Sequence, residues 1–301
     1  MAWEFDGLFD ALVPESDCTL MEAYWQSEPT AIRVGSMGYR TKTTKAGDRL
    51  EAEVYPLFGR EKTAALRRAR RNMTPEKMQA LNAKRSKRKL ILLLEENFKA
   101  EEDIHLTLTY GKVVGLQQCK KDLGTFLRRV RKIRAERGLA ELKYLYAIGH
   151  DEDHRIHVHV VMNGGMDRSE IERIWGKGYA NSMRLQEYGN GLQGIANYLH
   201  RQNEQERRKS RKQYIRAWNG SRNLVKPKEH TSDTKMTNGK VKRIARDFRN
   251  EAKAVMEKIY PGYVLRECEV YYSDLVDGAY IRCVMRRWTE ADDQKIREVR
   301  A

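Results

Sequence analysis

Ile104-His105-Leu106-Thr107-Leu108-Thr109-Tyr110 and, some fifty residues on, Ile156-His157-Val158-His159-Val160-Val161-Met162 carry one alternation. Aliphatic residues fall at every second position, the period of a strand with one buried and one polar face. Between the two, Leu123, Phe126, Leu127, Val130 and Ile133 recur at helical spacing beneath a basic outer face, with Gly138 where a C-cap stands. Residues 143–150 read as a second strand, joined to a third at 155–163 through the polar turn Asp151-Glu152-Asp153-His154. Asp167 with Glu170 three residues later opens a short helix bearing Ile171, Ile174 and Trp175, and residues 179–186 make a fourth strand.

Strand, helix, strand, strand, helix, strand is the split βαβ, or ferredoxin-like, order, and the fold class is α+β. In that topology the first and third strands lie together at the sheet centre and both helices cover one face. Burying Ile104, Leu106, Leu108, Val158 and Val160 under the helices turns His105, Thr107, His157 and His159 to the open face.

Of seven histidines in the chain, His150, His154, His157 and His159 fall within ten residues. An H-x-H pair on a strand sets two imidazoles on one face, about 6.5–7 Å apart at the Cα atoms, within reach of a single divalent cation. His150, at the end of the second strand, is the first choice for a third ligand, with Glu152, Asp151 and His154 in reserve. After the fourth strand, Leu192, Ile195, Ala196 and Leu199 form the apolar stripe of a helix, with Tyr198 at its edge and Arg201 and Gln202 one turn on. The uncovered sheet face is the natural dock for that helix.

Composition agrees with a polyanion partner. The 301 residues hold 58 Lys+Arg against 42 Asp+Glu, a net +16. Residues 60–89 contain 12 basic and 2 acidic side chains, and residues 201–228 contain 10 and 2. Two such blocks without an acidic counterpart favour nucleic acid through counterion release. No apolar run nears the ~18–20 residues of a membrane span, so a cytoplasmic protein is expected. Cys18, Cys119, Cys268 and Cys283 are widely spaced, which argues against a disulfide framework or a structural zinc site.

Three regions are expected. Residues 1–98 form a basic extension, with a hairpin around Ala46-Gly47-Asp48 and a long helix opened by Thr74-Pro75. Residues 99–229 form the ferredoxin-like core. Residues 230–301 hold a basic helix at 241–259, then Pro261-Gly262 and a hairpin joined around Asp277-Gly278.

Taken together, the strand 104–110, the pair His157-Val158-His159 and the helix of Tyr198 resemble HUH endonucleases of the rolling-circle replication initiator type. The resemblance covers roughly residues 40–228 and extends to replication-associated proteins of bacterial plasmids, integrative elements and phages. It implies that Tyr198 is the nucleophile, that Mg²⁺ or Mn²⁺ sits on His157, His159 and a third ligand, and that single-stranded or hairpin origin DNA is nicked. The products implied are a 5′-phosphotyrosine and a free 3′-hydroxyl primer. Arg201 stands where the family usually has lysine, so charge near the phosphate survives while proton transfer does not, arginine staying protonated. Gly149-His150 stands where related families often carry glutamate. Thr107, Lys212, Arg216 and Arg222 are the expected DNA contacts. No G-x-x-x-x-G-K-[ST] occurs, so the resemblance implies a host helicase as well as a host polymerase. The alternatives are a single-tyrosine transposase of the same chemistry and a non-catalytic nucleic-acid-binding module. A two-histidine phosphoesterase fits His105-Leu106-Thr107 but fails at His159.

Overall fold

The structure, a computed structural model, describes residues 38–57, 72–150, 155–187, 190–202, 216–273 and 276–289. In chain order its elements begin with β1 (Tyr39–Ala46), β2 (Arg49–Pro56), α1 (Pro75–Asn97), β3 (Ile104–Thr109), α2 (Leu116–Glu136), β4 (Tyr144–His150) and β5 (Ile156–Met162). There follow α3 (Arg168–Trp175), β6 (Ala180–Arg184), α4 (Gln193–Arg201), β7 (Asn219–Gly220), β8 (Lys228–Ser232), α5 (Asn238–Arg246), α6 (Glu251–Ile259), β9 (Tyr263–Ser273) and β10 (Val276–Arg287). The fold is α+β, with two antiparallel five-stranded sheets. Among the described residues no helix is long and apolar enough to cross a membrane.

Two compact units emerge. The described parts of 38–45, 49–84 and 228–289 make one, and those of 46–48 and 85–227 the other. In the first, the strand order is β8-β1-β2-β10-β9, so the two segments expected as separate appendages share a single sheet. Thr41 pairs with Ser232 and Val54 with Ile281, contacts between distant parts of the chain that local periodicity does not reveal. Leu50, Ala52, Val54, Ile281, Cys283 and Met285 pack with Val241, Ile244, Val255 and Met256 of α5 and α6.

Two expectations for this unit are corrected. The helix at 241–259 is two helices, because Asp247 leaves helical geometry at φ −144° and its carboxylate accepts hydrogen bonds from the Asn250 backbone N and Nδ2. Asp277-Gly278 is not the hairpin turn: Gly278, at φ +108°, sits at an irregularity inside β10, where pairing shifts between Val276 and Ala279.

The second unit has strand order β6-β3-β5-β4, the ferredoxin-like arrangement, with the two-residue β7 added on the β4 edge. Asp167 caps α3 through Glu170 N at 3.1 Å, and Gly176 ends it in the left-handed region at φ +59°. On one face Ile104, Leu106, Leu108, Val158 and Val160 are fully buried with Phe126, Val130, Ile171 and Trp175 of α2 and α3. The Trp175 ring meets Tyr110 and Phe126 edge-on, and its Nε1 donates to Thr109 O at 2.8 Å.

The other face is partly covered. Leu145, Ala147 and Val161 cluster with Ala196 and Leu199 of α4, and also with Leu90, Leu93 and Leu94 of α1. The docking of α4 follows from its stripe. The part played by α1 corrects the reading of the N-terminal third as an appendage: its apolar run covers this sheet, each buried leucine contributing about 1.5–3 kcal/mol.

Candidate active site

Pairing register decides which side chains meet on the open face. Thr107, His159 and Ala147 form one row across β3, β5 and β4, and Thr109, His157 and Gly149 form the next. With Val158 and Val160 committed to the α2–α3 core, His157 and His159 project to the opposite side, ring centroids 4.9 Å apart and planes at 73°.

Burial of Ala196 and Leu199 against the sheet leaves Tyr198 at the rim of α4, 39% exposed. Its Oη lies 3.1 Å from His159 Nε2. On the far side of the same imidazole, Thr107 Oγ1 is 3.1 Å from Nδ1, so the ring is fixed from both ends. His105, one row along β3, stacks on His159 at 5.4 Å and meets Tyr198 edge-on at 6.0 Å.

Two contacts hold α4 in place. Glu95 Oε1 accepts a 2.9 Å hydrogen bond from Leu192 N, which sets a carboxylate at the helix N-terminus where the backbone dipole favours it. At the other end Gln202 Oε1 is 3.0 Å from His157 Nε2, while Gln202 Nε2 donates to Tyr198 O at 3.1 Å. Opposite His157 stands Gly149, where a Cβ would come within 2.4 Å of His157 Nε2 and 2.6 Å of Gln202 Oε1. Gln202 therefore uses the space that a side chain at 149 would take.

Burial pushes His159 down to about 3, with the neighbouring His105 and His157 adding to the effect, and burial alone pushes His105 down to about 4. Both rings are neutral at neutral pH, and each neutral ring has a nitrogen lone pair to offer. Burial also holds the Tyr198 phenol above its usual range.

The structure does not bring His150 to the pair. It stands opposite Ile156, which belongs to the α2–α3 core, so the pleat turns His150 to the face away from His157. Arg201 is exposed in the last turn of α4, three residues past Tyr198. Arg216 is not at the site either: its charge acts on Tyr146, a side chain packed against the α2–α3 core. Arg222 is exposed in the turn after β7. Lys212, the reserve ligands Asp151, Glu152 and His154, and residues 60–71 of the first basic block lie outside the described residues.

Gln202, Gly149 and Glu95 join the site without having been singled out as site residues in the sequence. Gln202 had a signal, its i+4 spacing from Tyr198 on one helix. Among the described residues no group of three or more His, Cys, Asp and Glu side chains is placed to hold a metal ion. The third donor beside the two imidazoles is the amide oxygen of Gln202.

A ferredoxin-like sheet whose open face joins an H-x-H pair to a helix-borne tyrosine has a counterpart among known families. Residues 103–203 match the family model described as Replication-associated protein ORF2. The matched segment encloses Thr107, His157, His159, Tyr198 and Gln202, and the similarity is consistent with a replication initiator and a DNA partner. No curated protein and no solved structure matches the chain.

Proposed function

We propose that this protein is a rolling-circle replication initiator of HUH type that nicks single-stranded DNA through Tyr198. The observation that carries the reading is the 3.1 Å approach of Tyr198 Oη to His159 Nε2 on a face where His157 and Gln202 also converge.

The donor set suits a divalent cation of the Mg²⁺ or Mn²⁺ kind: two imidazole nitrogens and one amide oxygen, from His157, His159 and Gln202. Thr107 stands where a ligating imidazole needs an outer partner for its second nitrogen. When bound, such an ion neutralises charge on a non-bridging oxygen of the scissile phosphate.

The remaining work falls to the chain. A phenol is a weak nucleophile at neutral pH, and burial holds this one more firmly protonated, so attack requires close placement and loss of the Oη proton. Glu95 and Gln202 fix the ends of α4 and with them the height of Tyr198 over the sheet. Oη forms the bond to phosphorus, the bond from phosphorus to the 3′-oxygen breaks, and the leaving 3′-oxygen takes up a proton. The result is a 5′-phosphotyrosine and a primer hydroxyl. Attack by a later 3′-hydroxyl reverses the step and rejoins strands. Arg201, one helical turn on, supplies positive charge to the phosphate.

The test is to incubate the full chain with labelled single-stranded fragments covering its element's own DNA, with Mn²⁺ and with chelator. A denaturation-resistant protein–DNA band that maps to Tyr198 and is lost in Tyr198→Phe is the expected result. Undiminished binding by Tyr198→Phe with no adduct in the parent leaves a binding module and overturns the nicking reading.

A further inference from the structure

The open face does not end at the histidines. Beyond β3 lies the edge strand β6, whose register continues the catalytic rows: Asn181 stands beside Thr107 and Met183 beside His105. Thr109 N donates to Tyr179 O at 2.8 Å, which extends the ladder by one residue and sets Tyr179 in the row of Thr109 and His157. Alternation fixes the facing. Ala180 packs against the α2–α3 core and Ser182 Oγ donates to Glu172 of α3 at 2.6 Å, so Tyr179, Asn181 and Met183 point to the side that carries Tyr198.

All three are exposed, Tyr179 at 69% and Met183 at 52%. Seven large hydrophobic side chains among the described residues are exposed, and Tyr179, Met183 and Tyr198 are three of them, gathered on one face of one sheet. No side chain among the described residues engages the Asn181 carboxamide. An aromatic ring, an amide and a thioether thus lie level with the reacting groups, Tyr179 about 10 Å from His157 across two strand spacings.

Resting on the proposed nicking reading, we infer that Tyr179, Asn181 and Met183 form a nucleobase platform, on which the unpaired bases flanking the scissile phosphate are seated. Single-stranded DNA fits this surface better than any other occupant for three reasons. The platform is continuous with the site that handles the backbone. Splayed bases offer flat apolar faces that aromatic and thioether groups cover. An unengaged amide pairs with base edges, so Asn181 is the residue that discriminates among bases.

The experiment uses the full chain in chelator, so that no strand is cut, and fluorescence anisotropy with two labelled probes. One is a 20-nucleotide oligothymidylate and the other an abasic strand of the same length and charge. The expected result is a preference of about fivefold or more for the base-bearing strand, the lower end of one stacking contact. Tyr179→Ala and Met183→Ala each reduce that preference without weakening abasic binding, Tyr179→Phe retains it, and Asn181→Ala levels affinities among oligo-dT, oligo-dC and oligo-dA. No preference in the parent, no binding of either strand, or a preference that survives Tyr179→Ala together with Met183→Ala overturns the platform. The covalent adduct is scored in parallel with Mn²⁺. Adduct without base preference sinks the platform alone, and base preference without adduct sinks the nicking reading alone.

Discussion

Gly149→Ala adds one methyl group at the most crowded point of the site. The new Cβ would lie 2.4 Å from His157 Nε2, 3.0 Å from His157 Cε1 and 2.6 Å from Gln202 Oε1, against ordinary contacts of about 3.4–4 Å. Either the imidazole or the amide must move by about 1 Å. Gly149 lies within β4 and is not among the glycines with positive φ, so the backbone accepts alanine and the cost is one of contact. Overpacking of this kind costs about 1–3 kcal/mol, and the reduced freedom of the unfolded chain returns about 0.4–1 kcal/mol. Stability should therefore fall only slightly, by a few degrees of Tm. Activity should fall much further, because a displacement of about 1 Å in a reacting constellation costs roughly a hundredfold. The assay is the initial rate of Tyr198 adduct formation on single-stranded DNA with Mn²⁺, with a thermal melt on the same preparation. A second variant sharpens the test. Gln202→Ala should slow the parent strongly yet add little to Gly149→Ala, since the methyl has already displaced the amide. A Gly149→Ala protein whose rate stays within twofold of the parent, or additive losses in the double variant, would refute the assignment of Gln202 to the His157 position.

Thr107→Val keeps the shape of the side chain but removes the hydroxyl beside His159 Nδ1; adduct formation should slow about 10–100-fold while Tm barely moves, and Thr107→Ser should restore the rate. Arg134 is buried and donates to the carbonyls of Ala140, Asn163 and Gly164, so Arg134→Leu should cost about 3 kcal/mol or more in a urea melt by leaving those oxygens unpartnered. Cys119 and Cys283 are fully buried, the first pushed up to about 11 mainly by burial and the second raised by its hydrogen bond to Cys268 and by burial. In the native protein at pH 8, mass-spectrometric mapping of a thiolate-seeking label should find both protected, with modification only after denaturation.

What the sequence discloses and what it withholds divide along local and non-local physics. The alternation of Ile104–Thr109 and Ile156–Met162, the Asp167 cap and the order of elements are properties of short windows, and each defines a piece of the second unit before any contact is known. The facing of His157 and His159 follows as well, since an apolar residue on either side leaves them one direction. His150 shows where this stops. Its face depends on the register of β4 against β5, and a shift of one residue exchanges every side chain of a strand between faces. The register found sets Gly149, not His150, across from His157. The partnership of β1 with β8 and of β2 with β10 is likewise a matter of segments far apart in the chain, with no trace in local pattern. Gln202 lies between these cases. Its place one turn after Tyr198 is local, but whether it reaches His157 depends on how α4 lies on the sheet, which Glu95 helps to set from α1. Gly149 was the available clue. A glycine inside a strand marks a close approach by some other group, and here it stands opposite an imidazole that lacks a partner from the adjoining strand. A side chain had to arrive from outside the sheet, and the helix that carries Tyr198 is the element that delivers it.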